Sequence, residues 1–230
     1  MSGNSVSSER PPAVVLLSGG LDSCVTAAVA ARDNDLFCLH ADYGQRTQSR
    51  ETRAAGEVAR FYGAILRNID LSHIVVPGSS NLTDRSTPPV AGDLVRTGVP
   101  TTYVPFRNAN LLAAAVSWAE VIGAGRLFIG VVEEDSSGYP DCREAFLASF
   151  QEAINTGTAT EATITIVAPL LHLTKGDIIR LGVELQAPLQ MTWSCYNDEE
   201  LACGKCDSCL LRLRGFREVG AQDPLPYRSF

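Results

Sequence analysis

The chain is 230 residues long, 45% hydrophobic and 20% charged, with a formal net charge of -7 at pH 7. That length fits one domain with insertions, and the composition is that of a soluble globular protein. The acidic balance excludes a non-specific nucleic-acid binder, which needs a cationic surface to displace counterions from phosphates.

Residues 1–12 ("MSGNSVSSERPP") lack the apolar core of a signal peptide and read as a disordered tail ahead of a single domain over residues 13–230. The longest apolar run, in "NLLAAAVSWAEVIGAG", is broken by Ser117 and Glu120 and falls short of a membrane span. A cytoplasmic protein is expected, with no membrane partner.

In chain order, "AVVLL" at 13–17 reads as a buried strand and the Ala-rich stretch 21–33 as a helix. "LFCLHA" at 36–41 is a second strand, 48–62 a helix charged on one face, and "AILRNI" at 64–69 a third strand. Residues 72–102 are irregular and rich in Gly, Ser, Thr and Pro, and a stretch of that length is expected to form a partly mobile lid over the strand ends, with a floppy surface insertion as the competing reading. A strong helix follows at 109–124, then a strand at 126–132, a helix at 142–154 and a strand at 162–170. The segment 173–185 is a helix opened by Thr174 with Asp177 three residues on, close to a capping box. Strands alternating with helices imply an α/β fold: a Rossmann-like, mostly parallel sheet with helices on both faces.

The first strand runs into "LSGGLDSC", comprising Leu17, Ser18, Gly19, Gly20, Leu21, Asp22, Ser23 and Cys24. In an open α/β sheet ligands bind beyond the carboxyl ends of the strands. Adjacent glycines let backbone N–H groups point into one concavity, to which a helix amino terminus adds its positive end. Ser18 and Ser23 add hydroxyls, while Asp22 either caps the helix or holds a Mg²⁺ that bridges phosphates. No Gly-Lys-Ser/Thr follows, so this is not a Walker loop. The competing reading is a tight turn capped by Asp22.

Of seven cysteines, four crowd into Cys195-x7-Cys203-x2-Cys206-x2-Cys209. Four soft ligands within fifteen residues suit a closed, structural Zn²⁺ site, and an iron–sulfur cluster ranks below it. The basic run "RLRGFR" (Arg212, Arg214, Arg217) reads as a solvated helix face beside the thiolates. Cys142 lacks an evident His partner and reads as packing, and none of His40, His73 and His172 falls in a triad-like arrangement.

"LSGGLDS" matches the SGGxDS signature of the PP-loop ATP pyrophosphatases (adenine nucleotide alpha hydrolase-like), which cleave ATP to AMP and pyrophosphate while activating a carboxylate or carbonyl. Together with "DYGQR" at 42–46, "EEDSSGYPDCREAF" at 133–146, "PLLHLTKGDIIRLG" at 169–182 and "TWSCYNDEELACGKCDSCLLRLRGF" at 192–216, the chain resembles the 7-cyano-7-deazaguanine synthase family of the queuosine pathway. The resemblance covers nearly everything from Ala13 to Tyr227. It implies that ATP activates the carboxylate of 7-carboxy-7-deazaguanine, ammonia gives the amide, and a second ATP-dependent activation dehydrates the amide to the nitrile. It places the pyrophosphate portion of ATP and Mg²⁺ on Leu17 to Cys24, with Asp22, Ser23 and Lys175 as catalytic candidates. It puts Zn²⁺ on Cys195, Cys203, Cys206 and Cys209, and it implies a homodimer. Arg46, Arg107, Asn108, Tyr139, Asp141 and Arg143 fall on the substrate side, Tyr139 as a stacking face, Asp141 as an acceptor for a guanine-like edge and Arg143 as a partner for a carboxylate or phosphate. The competing reading of Lys175 is an exposed lysine in a first helical turn.

Three positions depart from the family pattern: Thr47 where most members have His, Phe106 where a small residue is common, and Val132 in place of a polar Asn. Touching substrate, they would make the pocket tighter and more apolar, as in a relative that passes the activated carboxylate to another amine. Two readings from other classes remain: a PP-loop tRNA sulfur-transferase with reactive cysteines, and a non-catalytic binding module built on the zinc knot.

Overall fold

The computed structural model describes residues 10–87, 92–94, 98–133, 138–159 and 163–229. The expected N-terminal tail falls largely on residues 1–9, and part of the 133–146 motif on residues 134–137; both lie outside the described residues. The elements run β1 (Pro12–Leu16), α1 (Leu21–Ala30), β2 (Asp35–Asp42), α2 (Gln48–Phe61), β3 (Ile65–Asp70), α3 (Arg107–Ile122), β4 (Arg126–Phe128), α4 (Glu144–Gly157), β5 (Thr165–Val167), α5 (Lys175–Glu184) and α6 (Asp207–Glu218). Among the described residues the strands form one sheet in the order β3-β2-β1-β4-β5, and every pairing is parallel. β1 is central. The winding reverses between β1 and β4, which opens a crevice at their carboxyl ends.

β1 is apolar throughout because both of its faces are covered. Ala13, Val15 and Leu17 pack with α1, with Ala55 and Val58 of α2, with Ile178 and Ile179 of α5 and with Phe216 of α6. Val14 and Leu16 point the other way, onto Leu112, Ala115 and Ala119 of α3 and Leu147 and Ile154 of α4. β4 is shorter than the apolar run 126–132 predicts. A Cβ on Gly130 would lie 2.8 Å from Thr26 Oγ1 and 3.1 Å from the Asp22 backbone, so the chain there presses on α1 instead of continuing the ladder. β5 likewise stops short of Pro169, which has no N–H to donate. α5 starts as expected, with the Thr174 side chain accepting from the Asp177 N–H.

The irregular segment 72–102 is tied down over its described part. The Arg46 N–H donates to Leu82 O at 2.9 Å and its Nε to Asn81 O at 2.8 Å, while its Nη2 reaches the carbonyls of Asp84 and Thr87. Further along, the Gly92 N–H donates to Lys205 O at 2.7 Å, and a Cβ on Gly92 would collide with Asp207 N at 2.7 Å. The segment thus seats on the cysteine-rich C-terminal region.

That C-terminal region folds back over the carboxyl ends of the strands. The Trp193 N–H donates to Gly19 O at 2.8 Å. Glu199 Oε1 accepts from the Ser49 and Arg50 N–H groups at 3.1 and 3.4 Å, capping α2, and the Arg50 guanidinium lies 4.8 Å over the Trp193 ring. The expectation of a solvated basic face fails at Arg212, which is 2% exposed. Its Nε and Nη2 hold Asp223 at 2.8 and 3.0 Å, and its Nη1 donates to Thr192 Oγ1 at 2.7 Å. Arg212 ties α6 to the chain on both sides of the cysteines, whereas Arg214 and Arg217 are exposed.

Candidate active site

A cavity of about 370 Å³ opens at the crevice between β1 and β4. The loop after β1 forms its floor, and the two adjacent glycines do different work there. Gly19 has φ +86, and a Cβ on it would lie 2.6 Å from Glu51 O and 2.9 Å from Ala55 N, so it lets the loop lie directly on α2. Gly20 is extended and serves as the N-cap of α1, with no side chain to cap the first-turn N–H groups. Those groups stay available beside the cavity, together with the positive end of the helix dipole. Ser18 Oγ donates to Ser23 Oγ at 3.1 Å and accepts from the Gly20 N–H at 3.3 Å, while Ser23 Oγ is 3.0 Å from Gly20 O. The loop is preformed.

Asp22 does not cap the helix. Lys175 Nζ lies 2.8 and 2.9 Å from its two oxygens. Lys175 is 7% exposed, so the exposed-lysine reading fails. Gly215 of α6 makes this placement possible, since a Cβ there would sit 2.7 Å from the Lys175 Cγ. α5 and α6 together carry the ammonium to the phosphate-loop end of the cavity.

The opposite wall is built from side chains of α3, of the turn after β2, and of the irregular segments around residues 102 and 139. Arg107 Nη1 donates to the Tyr43 OH at 3.0 Å, and its guanidinium carbon lies 5.5 Å from that ring. Arg107 Nε is buried without a partner among the described residues. Tyr139 shares a hydrogen bond of 2.7 Å with Thr102 Oγ1, and its ring leans on Tyr103 at 5.6 Å. Between this wall and the phosphate loop stands Glu51. It accepts from Thr47 Oγ1 at 2.6 Å and from Gln45 Nε2 at 3.3 Å. Enclosure by protein pushes the Glu51 carboxyl up to about 7, against the opposing hydrogen bonds from Thr47 and Gln45 and the charge of Arg107.

Of the residues singled out from the sequence, Leu17, Ser18, Gly20, Leu21, Asp22, Ser23, Lys175, Arg46, Arg107, Asn108 and Tyr139 line the cavity. Gly19 lies beneath it, and Cys24 is fully buried in the core because the fourth residue of α1 faces the sheet. Asp141 does not line it either. Its Oδ2 accepts from the Asn108 N–H at 2.9 Å and its carbonyl from Asn108 Nδ2 at 3.1 Å, so it caps α3 and thereby sets Arg107. Arg143 is exposed, at the N-cap of α4. Arg46 touches the cavity, but its described bonds go to the 72–102 segment. Thr47 and Val132 line the cavity. Phe106 does not: it is 59% exposed, its ring meets Phe146, and it takes φ 57 at the N-cap of α3. A small residue suits that position because the backbone is left-handed there. Sequence reasoning missed Tyr43, Gln45, Glu51, Trp193 and Tyr196, all of which line the cavity. The available signal was the i,i+4 pair of Thr47 and Glu51 at a helix start.

The four clustered cysteines do not line the cavity. Their Sγ atoms all lie within 4.8 Å of one another, as a tetrahedral S₄ site requires. Backbone N–H groups of Cys203 and Asn197 point at the Cys195 sulfur at 3.3 and 3.4 Å, and that of Lys205 at the Cys203 sulfur at 3.5 Å. N–H donors aimed at sulfur stabilise thiolate, the form that ligates metal. The donor set fits a metal ion. No helix of the described residues is long and apolar enough to cross a membrane.

The family described as "Queuosine biosynthesis protein QueC" matches residues 12–220. A relative from Acidobacterium capsulatum, named 7-cyano-7-deazaguanine synthase, is 53% identical over 226 residues, covering 95% of this chain and 97% of that one. One of the same name from Chlorobium phaeobacteroides is 52% identical over 219 residues, covering 94% and 97%. Among solved structures, the U34-tRNA thiolase NcsA from Methanococcus maripaludis, with its [4Fe-4S] cluster, is similar at a TM-score of 0.50 and 16% identity, covering 81% of this chain and 60% of that one. A predicted subunit of a tRNA methyltransferase from Methanocaldococcus jannaschii also reaches 0.50 at 15% identity, covering 95% and 93%. At such identities the likeness concerns the fold alone.

Proposed function

The chain belongs to the QueC family of queuosine-biosynthesis proteins, and from that premise we propose that it converts 7-carboxy-7-deazaguanine and ammonia to 7-cyano-7-deazaguanine at the expense of two ATP. The observation that carries this reading is one cavity joining an uncapped helix amino terminus and a buried lysine at one end to an arginine–tyrosine wall at the other. The relatives' shared name supports it.

The acid's carboxylate attacks the α-phosphorus of ATP, and pyrophosphate leaves with the electron pair. The N–H groups at the start of α1 and the Ser18 and Ser23 hydroxyls hold the phosphates. Lys175 offsets charge on the departing pyrophosphate. Asp22 orients that lysine, and its remaining lone pairs would ligate a Mg²⁺, which neutralises phosphate charge when bound. At the other wall, Arg107 has an Nε unpaired among the described residues to direct at an oxyanion, and Tyr139 offers the deazaguanine a ring face. Ammonia displaces AMP to give the amide. A second ATP then activates the amide oxygen, which departs with AMP as the nitrile forms.

Cys195, Cys203, Cys206 and Cys209 would hold Zn²⁺ in a closed structural site, with no position open for chemistry. Their absence from the cavity lining supports this role over sulfur transfer. A homodimer in the cytoplasm completes the proposal. The test is ATP–pyrophosphate exchange: it is expected only when 7-carboxy-7-deazaguanine is present, and exchange indifferent to the acid would overturn the reading.

A further inference from the structure

We propose that Glu51 is the catalytic base that takes the N–H proton released as ammonia displaces AMP from the activated carboxylate; this rests on the function proposed above. Three features of its placement carry the assignment. Glu51 lines the cavity, and its own carbonyl lies under Gly19, so it stands where the phosphate loop meets the Arg107–Tyr43 wall. An acyl group bonded to AMP on that loop and recognised at that wall must pass this point. Each Glu51 oxygen accepts one hydrogen bond, from Thr47 or Gln45, and keeps a lone pair. Finally, no Lys or Arg forms an ion pair with Glu51 among the described residues, whereas Asp22, the carboxylate nearest the loop, is clamped by Lys175.

The charged and titratable groups around Glu51 are Asp42, Tyr43 and His40 from β2 and its following turn, and Arg107 from α3. Asp42 opposes ionisation and Arg107 favours it, but enclosure outweighs both, leaving the carboxyl near 7. A base titrating there is half-ionised at neutral pH and strong enough to deprotonate an amine that carries a developing positive charge.

The ammonia nitrogen forms the C–N bond, and the C–O bond to AMP breaks with its electron pair going to AMP. One N–H proton passes to a Glu51 oxygen, which returns it to water. The amide formed loses its two N–H protons during dehydration to the nitrile, and the first of these leaves at the same position.

The experiment compares wild type, Glu51→Gln and Glu51→Asp. Three quantities are read: acid-dependent ATP–pyrophosphate exchange, the rate of amide and nitrile formation at constant free ammonia, and the melting temperature at two pH values. Glu51→Gln is expected to keep exchange within about threefold while amide formation falls on the order of 100-fold, and Glu51→Asp to recover part of that loss. In wild type, amide formation falls away as pH drops through about 7, and the variant lacks this limb.

The stability sign is the reverse of the usual carboxylate case. The folded pKa lies above the ordinary 4.5, so the folded state binds the extra proton between the two values, and wild-type stability declines as pH rises through that window. Glu51→Gln should therefore raise the melting temperature relative to wild type more at pH 8 than at pH 5. A merely structural acceptor would give a loss at both pH values. Unchanged amide formation, an unchanged pH profile, or equal losses of exchange and amide formation would each overturn the proposal. A wild type with no acid-dependent exchange would instead bring down the functional reading, and this assignment with it.

Discussion

At the phosphate end of the cavity the surface is mostly backbone: Gly19 lying on α2, Gly20 leaving α1 uncapped, and two serines bonded to each other. Towards the far end it is side chains from separate parts of the chain: Arg107 against Tyr43, Tyr139 against Thr102, and, on the way there, Glu51 held by Thr47 and Gln45. The first end is local, set by consecutive residues after one strand. The second exists only once α2, α3, the turn after β2, the 72–102 segment and the stretch around residue 139 have come together. On the proposed function, the contrast teaches that triphosphate recognition needs little more than a well-shaped turn, whereas recognition and deprotonation at a second substrate need polar groups that only tertiary packing can hold.

The link between the ends is the C-terminal region, and breaking it should have the largest effect. Cys209→Ser removes one of four sulfurs from the cluster, where a bound Zn²⁺ would contribute on the order of 10 kcal/mol to folding. Metal analysis should fall well below one zinc per chain, and the segment carrying Trp193 should become protease-sensitive as its bond to Gly19 is lost. Full zinc content in a stable Cys209→Ser protein would show that the fourth sulfur is dispensable.

Next comes Arg212→Met, which leaves Asp223 buried without its cation; a loss of about 3–5 kcal/mol in chemical unfolding is expected. A loss under about 1 kcal/mol would mean that α6 is held by packing alone. Lys175→Met acts at the phosphate end only. It should lower kcat roughly 100- to 1000-fold, about 3–4 kcal/mol, with little change in KM for the acid. A change confined to KM for the acid would place Lys175 at the wrong end of the cavity.

The smallest effect belongs to Phe106→Gly. Relief of the left-handed backbone and loss of the Phe146 contact oppose each other, so stability should move by no more than about 1 kcal/mol. Because Phe106 lies outside the cavity, KM should not change.

The same local-versus-assembled contrast explains what was legible in the sequence. The strand–helix alternation, the glycine-rich turn after β1 and the cysteine cluster are written in short-range patterns, and the structure has all three in those places, with β4 and β5 shorter than their apolar runs. Lys175 was legible only as a match to a family motif, since its burial depends on Gly215, some forty residues away. Asp141 and Arg143 carried the right chemistry for a purine and a carboxylate, yet one caps α3 and the other faces solvent; a residue's chemistry does not say which way its backbone turns. Arg212 looked like surface because it sits in a basic run, and its partner Asp223 lies eleven residues on, beyond any helical spacing. Glu51 escaped notice for a similar reason: it occupies a charged helix, and only the seating of Gly19 on that helix makes the position part of the site.

The most direct test of the account is mass spectrometry of the zinc-loaded protein incubated with Mg-ATP, 7-carboxy-7-deazaguanine and ammonium, counting AMP against product. The account predicts the nitrile, with two AMP and two pyrophosphates released for each one formed. The amide as final product, or AMP formed without consumption of the acid, would contradict it.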